Sequence, residues 1–290
     1  MAHRIAACVV CSHTFDQAGH VRWTKDGYDI VCCPSCGLLF RADLPTQADL
    51  DEIYGLEYFQ GGAEGYLDYV ADAEVHRLSA RRRLEALEGV VPPGRLLDVG
   101  AAAGFFVDEA RARGWDAIGI DVSEPMVEWG RRELNVPLER RVLADVPEGP
   151  FDAVAMWDYI EHALDPAGDL RRAHELLRPG GVLALSTGDA ATLVARLTGS
   201  RWHLLTPRHH NFFFTAATLS RLLAQSGFEV VSLDHRGSRY PVRYLVHKSR
   251  TFVRARALDA LTGRLARSRL GAVALPMNLW DIVTVVARRQ

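Results

Sequence analysis

The segment 95–104, RLLDVGAAAG, constrains the fold of this chain more than any other stretch. Its branched apolar residues predict a buried strand, and the glycines and alanines that follow predict a turn with very little side chain. Helix-forming residues 105–113 come next, and Gly114 ends that helix. Because the first amide groups of a helix have no partner within it, such a turn can offer them to a ligand. We therefore expect a strand–turn–helix unit that binds a ligand, the alternative being a tight turn that binds none.

The composition indicates a globular protein with a sizeable core, since 48% of its 290 residues are hydrophobic. Its net charge of −2 argues against a general nucleic-acid binder, because neutralising phosphates requires a clear basic excess. We find no apolar signal segment near the start and no run long enough to span a bilayer. We therefore expect a cytoplasmic protein of one large or two modest domains, in which the cysteines stay reduced.

All five cysteines of the chain lie within its first 36 residues. Four of them form two C-x-x-C pairs, Cys8 with Cys11 and Cys33 with Cys36, separated by 21 residues. Two such pairs can surround one zinc ion with four thiolates, and a β-hairpin across residues 21–31 would absorb the long interval. The pattern predicts a structural zinc in a segment at 1–44 that depends on the metal for its stability.

Other ligands for this zinc remain open. Cys32 is an alternative to Cys33, although the C-x-x-C spacing favours Cys33. His13 and His20 are alternative ligands as well, but single histidines on a loop are more often solvated.

Residues 45–90 form a linker followed by a helix. Its aromatic residues alternate with glycines and include Tyr54, Tyr58, Phe59 and Tyr66. This part either covers a ligand or packs its rings on the neighbouring domain. The helix occupies residues 70–87, and its run Arg81, Arg82 and Arg83 is most simply a solvated face.

Segments that favour strands alternate with segments that favour helices from residue 95 onward. The strand segments after the first are 116–121, 141–145, 151–157, 181–187, 228–233 and 281–287. This alternation predicts a mostly parallel sheet whose ligand lies at the carboxyl ends of the strands. Asp121 closes the second strand, where an acidic side chain can accept the hydroxyl groups of a ribose. We therefore expect an α/β fold that binds an adenosine-containing cofactor.

Five motifs in a fixed order together resemble one family. They are LDVGAAAG at 97–104, Asp121 at a strand end, DYIEH at 158–162, LLRPGG at 176–181 and a closing β-hairpin. In these motifs the chain resembles a class I S-adenosylmethionine-dependent methyltransferase over residues 87–290. The resemblance implies a methyltransferase domain at 91–290 with a Rossmann-like seven-stranded sheet, an antiparallel closing strand, a lid at 190–215 and an insertion at 239–277.

The cysteine-rich front, with CPSCGLLF at 33–40, is similar to the bacterial subset of this family that has an N-terminal zinc-binding segment. Members of that subset often act on sugars, glycans or secondary metabolites. Relatives with the pair found here at Glu161 and His162 include ubiquinone-pathway O-methyltransferases. The resemblance thus implies a small-molecule or saccharide acceptor, including one linked to a carrier. A hydroxyl oxygen is the commonest target, with carbon and nitrogen as alternatives.

The resemblance also implies which residues bind the S-adenosylmethionine. By position they are Asp98, Gly100, Ala102, Gly104, Asp121, Val122, Asp145, Val146, Trp157 and Asp158. The turn residues would line the methionine part, Asp98 would order the turn or meet the amino group, and Asp121 would hold the ribose. Asp145 and Val146 would flank the adenine. Ala102 replaces a usual glycine, and alanine is tolerated there if its φ angle is negative.

A hydroxyl acceptor is a poor nucleophile until its proton is removed, so an O-methyltransferase needs a base near the methyl group. We predict His210, His162 or His209 in this role, and we favour His210 because the lid around it is rich in histidines and aromatic residues. The alternatives are that the Glu161–His162 pair only fixes its loop and that the lid histidines only bridge the lid to the sheet.

The insertion 239–277 places arginines among leucines and alanines, which predicts a basic amphipathic surface. That surface either covers the substrate opening as a solvated helix face or contacts an anionic membrane or a nucleotide- or lipid-linked acceptor.

Two other functions fit parts of the sequence. A nicotinamide-dependent oxidoreductase also uses a glycine turn and a strand-end acid, but this turn lacks the G-x-G-x-x-G pattern. A zinc-ribbon adaptor with an inactive methyltransferase fold is disfavoured, because Asp98, Gly100, Gly104 and Asp121 are all present. We therefore expect an active methyltransferase.

Overall fold

The computed structural model describes residues 3–15, 20–46, 49, 69–147, 149–235, 238–242, 246, 268, 270–271 and 273–290. The four aromatic residues predicted to cover a ligand, and most of the insertion 239–277, lie outside these residues. Within them, an N-terminal part made of short strands precedes an α/β part.

The N-terminal part consists of antiparallel strands. They are β1 (His3–Arg4), β2 (Val21–Lys25), β3 (Tyr28–Cys32), β4 (Leu39–Arg41) and β5 (Asp43–Leu44). β1 pairs with β5, while β2, β3 and β4 pair in succession. Asp26 and Gly27 form the turn between β2 and β3 with φ angles of 53° and 83°, which suits a tight hairpin. The hairpin expected across residues 21–31 is confirmed.

The α/β part begins with a 3₁₀ turn at Val70–Asp72 and then alternates helices with strands. The helices are α1 (Ala73–Glu88), α2 (Phe105–Ala112), α3 (Glu124–Glu133), α4 (Pro166–Leu176), α5 (Leu193–Thr198) and α6 (Ala216–Gln225). The strands are β6 (Arg95–Val99), β7 (Asp116–Asp121), β8 (Leu138–Arg140), β9 (Phe151–Trp157), β10 (Leu177–Gly188), β11 (Phe212–Phe213), β12 (Phe228–His235), β13 (Ser238–Pro241), β14 (Ala274–Met277) and β15 (Ile282–Arg289). In the part of the chain that the structure describes, none of the helices has both the length and the apolar character needed to cross a bilayer.

Seven strands form one sheet in the order β12-β15-β10-β9-β6-β7-β8. The strands from β10 to β8 in this order are parallel, whereas β15 runs antiparallel between β10 and β12. The central strands β6 and β9 are almost entirely buried, as parallel strands covered by helices on both faces should be. The predicted α/β fold with an antiparallel closing strand is confirmed.

The third strand lies earlier in the chain than the sequence suggests. The prediction of a strand at 141–145 is wrong, because β8 ends at Arg140 and Leu143–Asp145 forms a 3₁₀ turn. Leu143 and Val146 are both buried, and a spacing of three residues places them on one face of such a turn rather than on alternate faces of a strand. Strand β8 pairs with β7 instead, and its Leu138 lies opposite Gly119.

One short strand joins the two parts of the chain. β11 pairs antiparallel with β4, so that Phe212 lies opposite Phe40 and Phe213 lies opposite Leu39. The resulting four-stranded sheet has the order β11-β4-β3-β2. Phe40 and Phe212 are buried in the same apolar cluster. The end of the segment predicted to form a lid is therefore built onto the N-terminal sheet.

Candidate active site

The glycine–alanine turn follows β6 and is closed by backbone conformation and by packing. Gly100 has a φ angle of 76° and Gly104 one of 81°, values that glycine adopts without strain. A Cβ atom at Gly100 would lie 3.0 Å from the Tyr159 ring, and one at Gly104 would lie 2.9 Å from Val136. Larger residues are therefore excluded at both positions for two independent reasons.

Ala102 adopts a conformation that the sequence did not lead us to expect. Its φ angle is 47°, so the condition under which alanine would fit without strain, a negative φ, is not met. A left-handed conformation costs an L-residue roughly 1–2 kcal/mol. The Ala102 N–H donates to Asp121 Oδ2 at 2.7 Å, and the Ser123 N–H donates to Asp121 Oδ1 at 2.8 Å. Asp121 thus holds the turn in this conformation.

Two of the predicted acidic residues lie at the carboxyl ends of neighbouring strands. Asp121 ends β7. Burial raises the pKa of its carboxyl group, while the hydrogen bonds that the carboxylate accepts from backbone N–H groups lower this pKa. Each carboxylate oxygen can accept two hydrogen bonds, so both retain an acceptor site for a ligand. Asp98 lies near the end of β6, where burial raises its pKa well above the usual range while the charge of Arg83 lowers it.

Arg83 links helix α1 to the end of β9. Its Nη2 donates to Asp158 Oδ2 at 2.6 Å and to Ser186 Oγ at 3.2 Å. Ser186 Oγ in turn donates to Asp158 Oδ1 at 2.8 Å. The guanidinium of Arg83 also lies over the Trp157 ring, 4.8 Å from its centre. Both predicted residues at this strand end are therefore held by a helix that precedes the sheet.

The expectation that Arg81, Arg82 and Arg83 form a solvated face is wrong for Arg83, whereas the Arg81 side chain is 43% exposed. Arg81 Nε forms an ion pair with Glu109 Oε2 at 2.8 Å, and Arg83 is bound as described above. Arg82 is exposed. Sequence reasoning missed the role of Arg83 because its acceptors lie on strands much later in the chain.

The remaining predicted cofactor residues lie beyond β7 and β8. Asp145 is exposed at the end of the 3₁₀ turn, Val146 behind it is buried, and the Val122 carbonyl accepts a hydrogen bond from Arg140 at 3.3 Å. Nearby, Ser123 Oγ is buried and has no hydrogen-bond partner among the described residues, and the same holds for Trp157 Nε1 at the end of β9. Because an unsatisfied buried donor is costly, these two atoms indicate a ligand at this edge of the sheet.

The structure brings two of the predicted histidines together. The rings of His162 and His210 have centroids 4.6 Å apart and meet edge to face. A nitrogen of each ring and a carboxylate oxygen of Glu161 all lie within 4.8 Å of one another. His209 contributes its backbone, since its carbonyl accepts from His162 Nδ1 at 2.9 Å. Sequence reasoning treated Glu161 only as the neighbour of His162 and missed its place in this cluster.

Burial sets the protonation of the cluster. Burial raises the pKa of Glu161 to about 8, and the nearby charge of Asp158 adds to the effect. Burial lowers the pKa of His162 to about 4. At neutral pH, Glu161 is therefore protonated and the His162 ring is neutral, so that no isolated charge is buried there.

Asn211 attaches the histidine segment to the Glu161–His162 loop. Its N–H donates to the Glu161 carbonyl at 2.8 Å, and its Nδ2 donates to the His162 carbonyl at 2.8 Å. From the other side, the Arg41 N–H donates to the Asn211 carbonyl at 2.9 Å. The histidine segment is thus held between the main sheet and strand β4. Sequence reasoning missed Asn211, whose only signal was its place directly after His210.

The predicted cysteines form two turns of the same shape. The residue after each C-x-x-C has a positive φ angle, 57° at Ser12 and 78° at Gly37. The N–H of that residue donates at 2.9 Å to the carbonyl of the first cysteine, Cys8 or Cys33. Such turns direct the sulfur atoms of each pair towards a common point.

The four sulfur atoms of Cys8, Cys11, Cys33 and Cys36 lie within 4.8 Å of one another. The Cys8 and Cys36 sulfurs are 3.5 Å apart, as are those of Cys11 and Cys33. This arrangement fits tetrahedral coordination of zinc by four thiolates. In the described part of the chain neither Cys32 nor a histidine belongs to the group, and Cys32 Sγ instead faces two backbone carbonyls at 3.9 Å.

A sequence model of the methyltransferase domain matches residues 64–233, more than half of the chain. The chain belongs to this methyltransferase family. Together with the order and direction of the strands, the match confirms a class I S-adenosylmethionine-dependent methyltransferase, and hence an enzyme.

Similar enzymes include a ubiquinone biosynthesis O-methyltransferase of Xanthomonas axonopodis pv. citri. It is 28% identical over 204 residues, which cover 63% of this methyltransferase and 81% of that enzyme. Enzymes of the same name from Methylococcus capsulatus and Xanthomonas campestris pv. campestris are 29% and 34% identical over 48% and 49% of this chain. The chain spans 65% and 61% of those two, less than two thirds of either.

Solved structures show the same fold. A Burkholderia thailandensis 1,6-didemethyltoxoflavin-N1-methyltransferase, solved with S-adenosylhomocysteine, superposes with a TM-score of 0.51 at 17% identity and covers 93% of this chain and 99% of its own. A putative methyltransferase from Bacillus halodurans gives a TM-score of 0.52 at 14% identity, with 73% and 99% coverage. At such identities the likeness shows the fold alone.

Proposed function

We propose that this methyltransferase transfers a methyl group from S-adenosylmethionine to a hydroxyl oxygen of a small-molecule or saccharide acceptor, including one linked to a carrier. The observation that carries the proposal is the convergence of His162 and His210 beside the end of β9. A hydroxyl acceptor needs a base, and this pair supplies one at the expected edge of the sheet. The similarity to ubiquinone biosynthesis O-methyltransferases supports oxygen as the target.

The donor site is formed by the turn and by strand-end residues. The cofactor supplies a methyl group on a sulfonium, which is already a good leaving group. In the proposed site Asp121 accepts the ribose hydroxyls, while the open backbone at Gly100 and Gly104 admits the methionine part. Trp157 Nε1 and Ser123 Oγ, two buried donors with no partner in the part of the chain that the structure describes, supply further contacts. Val122, Asp145 and Val146 border the adenine.

The acceptor hydroxyl loses its proton to a histidine nitrogen. Nδ1 of His162 faces the His209 carbonyl and Nδ1 of His210 faces the Leu204 carbonyl, each at 2.9 Å. A carbonyl can only accept, so each neutral ring carries its proton on Nδ1 and its lone pair on Nε2. We assign Nε2 of His210 as the base and the His162 ring as the group that orients it.

We also propose that Cys8, Cys11, Cys33 and Cys36 bind one structural zinc. The matched geometry of the two cysteine turns supports this assignment. The N-terminal strands are short, and a metal would supply much of the stability that so small a core lacks.

Transfer of a ¹³C-labelled methyl group identifies the atom that is methylated. The zinc-loaded enzyme is incubated with methyl-labelled S-adenosylmethionine and a bacterial metabolite extract, and the labelled products are examined by NMR. We expect a methyl signal typical of an ether, greatly weakened in His210→Ala. A product methylated on carbon or nitrogen, or an undiminished rate in His210→Ala together with His162→Ala, would contradict the proposal.

A further inference from the structure

Arg41 is a buried cation that has no anionic partner among the residues that the structure describes. Only 6% of the residue is exposed. In the described part of the chain its guanidinium takes part in no hydrogen bond or ion pair, and its Nε is fully enclosed without a partner. The Tyr28 ring lies 4.3 Å from the guanidinium carbon. A cation–π contact replaces only part of the lost hydration, and arginines are rarely buried unless they are paired.

The two carboxylates whose charges act on Arg41 do not serve as its anionic partner. Burial lowers the pKa of Arg41, and the charges of Asp43 and Asp49 oppose that shift without forming an ion pair. The electrostatic environment of Arg41 therefore favours the addition of an anion. An arginine guanidinium binds carboxylates and phosphates through two parallel hydrogen bonds. The guanidinium of Arg41 is already held against the Tyr28 ring, which suits this mode of binding.

The position of Arg41 connects it to the proposed acceptor site. Its N–H donates to the carbonyl of Asn211, the residue that follows His210. Asn211 Oδ1 is also buried and has no partner within the described ranges of the chain. Asn211 Nδ2 donates to the His162 and Ala163 carbonyls, which fixes the direction in which the amide points. A cationic donor and a neutral acceptor, both unsatisfied, thus belong to two residues joined by one backbone hydrogen bond.

These two groups complement a ligand that carries both an anionic group and a hydroxyl group. The guanidinium can receive the anionic group, and Asn211 Oδ1 can accept from a hydroxyl. A neutral sugar or a neutral quinol would leave the charge of Arg41 uncompensated. The unsatisfied pair therefore favours an acidic acceptor over a neutral one.

We propose that Arg41 binds a carboxylate or phosphate group of the acceptor, so that this enzyme methylates acidic hydroxyl compounds. The inference rests on the proposed function, because it assigns the acceptor to the His210 side of the site. It also explains why an unpaired charge is retained in the free protein, since binding residues are often kept at a cost in stability.

Thermal unfolding of the zinc-loaded full-length protein tests the inference with two probes, inorganic phosphate and benzoate, at constant ionic strength. We expect one or both anions to raise the unfolding temperature of the wild type by about 3 °C at millimolar concentrations. Phosphate alone would identify a phosphorylated acceptor, and benzoate alone a carboxylate. Arg41→Met should abolish the shift without lowering the unfolding temperature of the free protein.

Two further variants complete the test. Arg41→Lys retains the positive charge but not the planar guanidinium with its paired donors. The anions should therefore raise its unfolding temperature less than that of the wild type. Arg22, on β2 of the same sheet, lies over Trp23 at 4.9 Å but is exposed, so Arg22→Met should respond as the wild type does.

The inference is overturned if neither anion stabilises the wild type, or if Arg41→Met keeps the full response. Calorimetry with S-adenosylhomocysteine on the same samples separates this outcome from failure of the proposed function. Unchanged affinity in Arg41→Met shows that the donor half is intact, whereas absence of binding by the wild type would overturn the methyl-transfer proposal itself.

Discussion

The proposed donor half and the proposed acceptor half of the active site are assembled over different distances along the chain. In the donor half, Asp121 binds the backbone of Ala102, 19 residues away. In the acceptor half, β11 pairs with β4, and Lys25 Nζ donates to the Leu205 carbonyl at 2.6 Å across 180 residues. The acceptor half therefore depends on the N-terminal part, whereas the turn of the donor half is complete within the α/β part.

This difference implies that the proposed zinc-binding segment has a function beyond its own stability. Cys33 and Cys36 immediately precede β4, and β4 pairs with the strand that follows His209 and His210. A loss of metal should therefore displace the histidines while the glycine turn stays in place. Single substitutions can test whether the donor half and the acceptor half are disturbed independently of each other.

The largest effect is expected from Cys36→Ser. The variant should lose zinc, and its methyl transfer should fall at least about 100-fold because the base is misplaced. Its affinity for S-adenosylhomocysteine should stay within about threefold, since the hydrogen bonds that Asp121 accepts from Ala102 and Ser123 involve no cysteine. Metal analysis measures the zinc, transfer of labelled methyl groups measures the rate and calorimetry measures the affinity, while hydrogen exchange at residues 204–213 reports displacement of the histidine segment. Cys32→Ser, outside the sulfur group, is the control, and a parallel loss of cofactor binding in Cys36→Ser would contradict the separation.

Glu161→Gln tests the acceptor half through the pH dependence of stability. The pKa of Glu161 is raised to about 8 by burial, so the folded protein holds a proton that the unfolded chain releases near its ordinary pKa. The stability that this proton contributes is present in acid and is lost as the pH rises towards about 8. Between pH 6 and pH 8 the wild type should lose about 2 kcal/mol relative to Glu161→Gln. Denaturant unfolding at the two pH values measures the difference, and parallel changes in both proteins would refute it.

Arg83→Met tests the donor half where it depends on hydrogen bonds between residues that are distant in the chain. Removing the hydrogen bonds from Arg83 to Asp158 and Ser186 should weaken S-adenosylhomocysteine binding about tenfold, or about 1.4 kcal/mol. Zinc content and exchange at the histidine segment should not change. The exposed neighbour Arg82 provides the matched control as Arg82→Met. Equal affinities in the two variants would show that Arg83 has no role in shaping the site.

The smallest effect is expected at Ala102. Ala102→Gly relieves the left-handed backbone and loses one buried methyl group, so its net gain in stability should be about 0.5 kcal/mol. Ala103 is fully buried and Ala103→Gly should instead destabilise the protein by about 1 kcal/mol. Denaturant unfolding compares them, and a loss of stability in Ala102→Gly would show that packing outweighs backbone strain.

Sequence reasoning located the structural features whose residues lie close together in the chain or follow a fixed spacing. The glycine turn, Asp121 and the four cysteines follow from spacing and residue type alone. Arg83, Asn211 and Arg41 were missed because their roles arise from strand pairing and helix packing between distant segments. The wrong prediction of a strand at 141–145 has a local cause. Leu143 and Val146 are buried together on one face of a 3₁₀ turn. The sign of the Ala102 φ angle was missed because Asp121 imposes it from the next strand.

Calorimetric titration of the zinc-loaded enzyme with S-adenosylhomocysteine, beside Asp121→Ala, tests the central claim most directly. If the turn and Asp121 form the donor half of an S-adenosylmethionine-dependent methyltransferase, the wild type should bind with a sub-millimolar dissociation constant. Asp121→Ala should bind at least about tenfold more weakly, because the ribose loses its charged acceptor. Absence of binding by the wild type, or equal affinity in the two proteins, would contradict the account.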